Sequence, residues 1–282
     1  MIEKQKIITK DWFEDLRKEI IKVFLDIENN NSRSSKKNNF NFKKWKRKSG
    51  NTKDNGGGTM GIFYGDVFEK VGVNVSTVHG KFSSKFKKQI PGAEKSGKFW
   101  ASGISVVAHM NSPFIPSFHF NTRFIVTESS WFGGGMDMTP AFKDIKNKNT
   151  LHQNLKKMCD MHDKKYYKKF SKECDEYFYL PHRKETRGDG GIFFDRLNTK
   201  RFENDFAFVK DTGKAFIEIV PKIILRNIKK KWTKDDKRKQ EIKRGRYAEF
   251  NLLYDRGTKF GLETDGNIDA ILMSMPPKAI WK

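Results

Sequence analysis

Cysteine is nearly absent from this 282-residue chain, with Cys159 and Cys174 the only two. Two thiols at that spacing make neither a disulfide framework nor a zinc pattern. The chain is therefore expected to rely on its core for stability and to work in a reducing compartment, the cytoplasm. Long apolar runs are missing too. Nothing approaches the ~18 to 20 residues of a membrane span. The first 24 residues carry acids among their apolar positions and lack a signal-peptide core, so a soluble protein without integral membrane contact is expected. The glycine triplet at Gly56, Gly57 and Gly58 lacks the lysine-serine ending of a phosphate loop, and no HExxH or other compact metal spacing occurs.

Acidic residues are also scarce: 34 against 57 basic, a net charge of +23. Such a surplus suits nucleic acid or an acidic membrane. No recognised nucleic-acid reader motif accompanies it. Lysine and asparagine are abundant even in featureless stretches, which fits a solvated lysine surface. An anionic small molecule is a third partner class and needs only local positive charge.

The length allows one large domain or two modest ones, and no linker or internal repeat divides the chain. Residues 11–28 form an amphipathic helix with Trp12, Leu16, Ile20, Val23, Phe24 and Ile27 on one stripe and Thr9 as N-cap. Residues 29–54, rich in Asn, Ser and Lys, are expected as a basic surface loop that docks partly through Phe42 and Trp45. Residues 56–78 suggest a strand or hairpin, and 99–109 a strongly apolar strand. A helix is expected over 150–170, with Asn149 or Thr150 as cap and His152 in its first turn. Residues 190–197 are a short strand. Residues 202–228 are largely helical, with Pro221 able to begin a separate helix. A basic helix covers 229–243, and 246–255 and 269–275 are expected as late strands. Strands flanked by helices at both ends imply an α+β domain with a large, mostly antiparallel sheet.

Residues 117–140, SFHFNTRFIVTESSWFGGGMDMTP, carry the candidate site. His119, Asn121 and Arg123 alternate with Phe120, Thr122 and Phe124, so in a strand they share one face. A proton carrier, an amide and a fixed cation suit an anionic ligand better than bulk water. A loop centred near Ser129 pairs Asn121 with Asp137 and Arg123 with Gly135, which brings Asp137 to the same face. A slip of one residue would send it to the other. Glycines 133 to 135 suggest close approach of something bulky. A hairpin with a salt bridge and a tight glycine bend is the alternative.

Six ordered blocks resemble the oxygen-dependent coproporphyrinogen III oxidase family: GDVFEKVGVNVSTVHG, SGISVVAH, HFNTRF, GGGMDMTP, HRKETRGDGGIFFD and GRYAEFNLLYDRGTKFGLETDGNIDAILMSMPP. They cover most of the chain beyond its first ~55 residues. The resemblance implies one coproporphyrinogen oxidase-like domain over residues 1–282. It implies oxidative decarboxylation of two propionates of coproporphyrinogen III to vinyl groups, yielding protoporphyrinogen IX in heme biosynthesis. Oxygen is the co-substrate, carbon dioxide and hydrogen peroxide leave, and no organic cofactor takes part.

The resemblance also assigns roles. Arg123 would clamp a propionate, Asp137 would hold or deprotonate pyrrole N–H groups, and His119 would donate a proton, as an imidazole titrates near neutral pH. Ser105, Asn121, Thr122, Arg123 and the turn Asp265, Gly266 and Asn267 match substrate-contact positions. In bacterial relatives a divalent metal, manganese among the candidates, is placed at histidines matching His109, His119, His152 and His182. A histidine held by metal cannot readily donate a proton as well. The family's late segment forms a homodimer interface. The chain departs from the family at Met110, Asn111 and Ser112 before Pro113, and at Asp265, Gly266 and Asn267, where the family often shows Gly-Gly-Arg. A porphyrin-binding relative without turnover is disfavoured by the intact His119, Asn121, Arg123 and Asp137.

Overall fold

The computed structural model describes residues 1–32, 37–47, 54–88, 90–263 and 266–281. The chain begins with α1 (Ile2–Asn31), followed by the strands β1 (Asn41–Lys46), β2 (Gly56–Phe63) and β3 (Phe68–Lys81). A short helix, α2 (Ser84–Lys87), precedes β4 (Lys98–Met110), β5 (Ser117–Val126) and β6 (Ser130–Thr139). Helices α3 (Ile145–Asp160) and α4 (Tyr166–Tyr177) lead to a small ribbon of β7 (Tyr179–Leu180) and β8 (Glu185–Thr186), then to β9 (Gly191–Leu197). The chain ends in α5 (Phe202–Asn227), α6 (Lys234–Leu253), α7 (Arg256–Glu263) and α8 (Ile268–Leu272).

Seven strands form one antiparallel sheet in the order β1-β2-β3-β4-β5-β6-β9. The fold is α+β, as the sequence implied. Period-two alternation divides the sheet into two faces. On β5, Phe118, Phe120, Thr122 and Phe124 are fully buried, whereas His119, Asn121 and Arg123 are only half-buried. The first set packs under α1 and α5: Phe120 stacks on Phe216 at 4.9 Å, and Phe24 of α1 meets both Phe68 and Phe216. Each such buried aromatic contributes roughly 1.5–3 kcal/mol. Gly213 permits the close crossing of the two helices, because a Cβ there would lie 2.8 Å from Leu16. Glu28, fully buried, fixes the end of α1 by accepting hydrogen bonds from the backbone N–H groups of Asp66, Val67 and Phe68.

Several local expectations are corrected. α1 starts before residue 11, and Thr9 is an interior residue whose hydroxyl donates back to Gln5 O. The expected loop at 29–54 contains the end of α1 and the edge strand β1, with residues 33–36 and 48–53 outside the described set. The helix expected over 150–170 is two helices; Asp144 caps the first, which puts His152 in its second turn. α5 runs through Pro221 without a break. Residues 246–255 fall mainly in α6 and 269–275 around α8, not in strands.

Candidate active site

The β5–β6 hairpin sets the site. Its register pairs His119 with Asp137, Asn121 with Gly135 and Arg123 with Gly133. The turn centres one residue earlier than expected, which moves every pairing by two positions. A shift of two preserves the face, so Asp137 does share a side with His119, Asn121 and Arg123. Ser105 of β4 pairs with Asn121 and joins them.

These groups form a continuous hydrogen-bonded line. Arg123 Nη1 donates to Asn121 Oδ1 at 3.1 Å, and Asn121 Nδ2 lies 3.1 Å from His119 Nε2. His119 Nδ1 is 2.7 Å from Asp137 Oδ1. Because Arg123 fixes the amide orientation of Asn121, the Asn121 NH2 donates to His119 Nε2. The imidazole then carries its proton on Nδ1 and donates it to Asp137, a tautomer assigned from its partners.

Below this line lies Arg187, which the sequence reading did not single out. Its Nη2 donates to Asp137 Oδ2 at 2.5 Å, and its Nη1 to Asn251 Oδ1 at 3.1 Å. The guanidinium sits 3.9 Å from the Phe178 ring centroid and 4.5 Å from that of Tyr247. Both partners are almost wholly buried, at 2% and 4% side-chain exposure. Burial disfavours charge on Asp137, but Arg187 and His119 outweigh it and hold the carboxyl below its ordinary range. Both Asp137 oxygens are thus taken from within the protein, and the members of the line that reach solvent are His119 and, more so, Arg123, at 17% and 33% side-chain exposure.

The second missed residue is Asp195. The β6–β9 pairing shifts register between Phe132 and Gly134, and Arg196 adopts φ 55°. This irregularity turns Asp195 toward Arg123, whose Nη2 it accepts at 3.1 Å; bulges re-aim side chains in this way. The glycines of β6 are filled by the protein itself rather than left for a ligand. A Cβ on Gly133 would meet the Arg123 guanidinium at 2.9 Å, on Gly134 the Asn121 carbonyl at 2.4 Å, and on Gly135 the Ile192 carbonyl at 2.1 Å.

The remaining expected contacts separate. Thr122 is fully buried on the helix-covered face and does not reach the open side of the sheet. Gly266 and Asn267 lie at the turn before α8, where Asn267 accepts from the Ala270 N–H as N-cap; Asp265 lies outside the described residues.

The four histidines are not brought together. His109 contacts Ser117 Oγ and Ser274 O, His152 contacts Tyr167 OH and Asp189 O, and His182 contacts Glu249 Oε2 and Tyr254 OH. With His119 held by Asp137 and Asn121, every ring nitrogen of the set already has a partner. Among the described residues no group of three or more His, Cys, Asp or Glu side chains is arranged to hold a metal ion. The donor set does not fit a shared divalent ion.

Comparisons with known proteins agree on one family. The family model described as coproporphyrinogen III oxidase matches residues 8–282. An oxygen-dependent coproporphyrinogen-III oxidase of Rickettsia bellii is 51% identical over 283 residues, covering 100% of both chains. Proteins of the same name from Rickettsia africae and Rickettsia conorii are each 54% identical over 275 residues, covering 97% of both chains.

Proposed function

The chain belongs to the coproporphyrinogen III oxidase family, and on that premise we propose how it works. It is an oxygen-dependent oxidoreductase that converts two propionates of coproporphyrinogen III to vinyl groups, giving protoporphyrinogen IX for heme biosynthesis. Each turn takes one propionic acid side chain and O2 to a vinyl group, CO2 and H2O2. The substrate loses two electrons and two hydrogens as the carboxyl carbon departs, and oxygen gains them.

The observation that carries the site assignment is the unbroken line Arg123–Asn121–His119–Asp137–Arg187, which runs from the half-buried Arg123 on the sheet face away from α1 and α5 down to the fully buried Arg187. Arg123 binds a substrate carboxylate, assisted by Asn121 and Ser105. When substrate engages the Asn121 amide, His119 Nε2, unprotonated in the resting tautomer and until then the acceptor of the Asn121 NH2, is released to take a pyrrole proton from the substrate, which makes the electron-rich macrocycle more reactive toward oxygen. It returns that proton to the macrocycle nitrogen as the vinyl group forms, while the carboxyl hydrogen and the one C–H hydrogen lost from the propionate leave on reduced oxygen as hydrogen peroxide. Asp137 positions His119 and stabilises the imidazolium, with Arg187 keeping the carboxylate ionised. No step passes through a metal at His109, His119, His152 and His182. Activity that is lost on chelation and restored by manganese would overturn that part of the reading.

The assay is direct. Purified protein is incubated with coproporphyrinogen III in air and without oxygen, and the oxidised products are separated. Tri- and dicarboxylate products in air alone are expected; their absence in air would sink the assignment.

The chain acts as one domain over residues 1–282, in the cytoplasm, as a homodimer. The single main sheet supports the first point and the two free, buried cysteines the second. The exposed Leu252, Leu253, Leu262 and Ile268 of the late helices support the third. Light scattering that returned the monomer mass at micromolar concentration would reject the dimer.

A further inference from the structure

The far side of Arg187 is as constrained as the side that meets Asp137. Its Nη1 donates to Oδ1 of Asn251, a residue of α6 that is 5% exposed. A guanidinium can only donate, so Arg187 fixes which end of the Asn251 amide faces it. The Asn251 NH2 is thereby turned the other way and donates to Ser274 Oγ at 3.1 Å. Ser274 Oγ in turn donates to Ile271 O of α8 at 3.3 Å. Each bond in this series has a defined direction.

Ser274 is itself anchored. His109 Nε2 of β4 donates to Ser274 O at 2.9 Å, and Lys70 Nζ of β3 donates to Met275 O at 2.8 Å. Met273 is buried against Gly72 of β3, where a Cβ would come within 2.3 Å of Met273 Cγ. Three consecutive residues thus seat the segment after α8 on the sheet. From there a line of side chains runs Ser274–Asn251–Arg187–Asp137–His119. The Phe178 and Tyr247 rings set where the guanidinium lies. Directional bonds set which of its N–H groups face Asp137, and Asn251 supplies the bond at the opposite end.

We propose that Asn251 is a positioning residue for the reaction: it holds the Arg187 guanidinium in register with Asp137, and Ser274 ties that register to the docking of the segment after α8. The proposal rests on the porphyrinogen reading of the site. It makes the aim of His119 depend on residues three and four hydrogen bonds away from it. Without the Asn251 acceptor, Arg187 Nη1 keeps a buried donor unpaired, which is costly. Turning the guanidinium to satisfy it withdraws Nη2 from Asp137.

The test uses variants at both ends of the Asn251 amide. Wild type, Asn251→Leu, Ser274→Ala and Ser274→Thr are compared in kcat and KM for coproporphyrinogen III, in affinity for coproporphyrin III, the unreactive oxidised macrocycle, and in urea stability. The proton that His119 Nδ1 donates to Asp137 is followed by NMR at neutral pH in protein carrying isotope-labelled histidine. Asn251→Leu is expected to lower kcat by about ten- to a hundredfold, with KM and affinity within about twofold, and to shift that proton's resonance upfield. Ser274→Ala should act the same way more weakly, by about three- to tenfold in kcat. Ser274→Thr keeps the hydroxyl and should stay within about twofold of wild type. Ser274→Ala also keeps both backbone anchors, so it decides the matter should Asn251→Leu not fold. Wild-type kcat in folded Ser274→Ala would overturn the proposal, as would a loss of stability with the His119 resonance unmoved. Wild-type protein that turns nothing over, with the resonance still shifting in Ser274→Ala, would instead remove the oxidase reading and leave the positioning line standing.

Discussion

Arg187 holds Asp137 from inside the protein, Nη2 to Oδ2, with both side chains all but excluded from solvent. A buried pair of this kind gains little over an apolar substitute, but breaking it strands one charge. Arg187→Met should therefore destabilise the fold by about 3–5 kcal/mol in urea unfolding at neutral pH. The double variant Arg187→Met with Asp137→Leu should regain much of that loss. A single variant within experimental error of wild type would show that Asp137 is not ionised in the folded protein. The sign with pH follows from the depressed carboxyl. The pair's contribution is present above the unfolded value near 4 and disappears as pH falls through the lower folded value.

Asp137→Asn addresses chemistry rather than stability. The amide is nearly isosteric, but it offers His119 Nδ1–H a weaker acceptor or the wrong group altogether, and it cannot stabilise an imidazolium. A fall in kcat of about a hundredfold or more is expected, in the range that general acid–base groups supply, with coproporphyrin III affinity kept within about threefold. Unimpaired turnover would remove Asp137 from the mechanism.

How far the sequence reached depends on whether a feature is local. The alternation of His119, Asn121 and Arg123 with buried partners is a property of one strand, and it survived a misplaced turn because an error of two residues leaves faces unchanged. The opposite happened at residues 246–255. The run containing Tyr247, Phe250, Leu252 and Leu253 is short and apolar, a pattern that helix and strand share. It belongs to α6, with Tyr247 and Phe250 buried and both leucines half-exposed. β1 was missed because an exposed edge strand of Asn, Phe, Lys and Trp has no apolar face to reveal it. Arg187 stood within a block already recognised as informative, but its partner lies 50 residues away in sequence, and no spacing rule connects them. Asp195 depended on a bulge that composition does not signal.

Thr122 separates the two faces experimentally. It lies in the same short stretch as the proposed contacts Asn121 and Arg123, yet it points into the helix-covered core, where its hydroxyl has no hydrogen-bond partner among the described residues. Replacing a buried, unpartnered hydroxyl by a methyl group removes a desolvation cost. Thr122→Val should raise stability by about 1 kcal/mol and leave KM for coproporphyrinogen III unchanged. A several-fold rise in KM without loss of stability would return Thr122 to the substrate site.

His109 gives the protein an acid-side dependence of its own. It is fully buried, in contact with Ser117 and Ser274, and burial together with the nearby Arg244 pushes its pKa down to about 3. The folded protein therefore keeps this ring neutral while the unfolded chain protonates it below about 6.5. Between these values the unfolded state binds the extra proton, so stability falls as pH falls, by up to about 1.4 kcal/mol per unit for this one group. Above about 6.5 the ring is neutral in both states and contributes no slope. Urea unfolding at pH 7.5, 6.5, 5.5 and 4.5 should show the decline beginning near 6.5. His109→Gln, although less stable at neutral pH through lost packing against Tyr247, should decline less steeply over the same interval. Parallel curves for the two proteins would mean that His109 takes up its proton without unfolding, and that the ring is not confined as its contacts indicate.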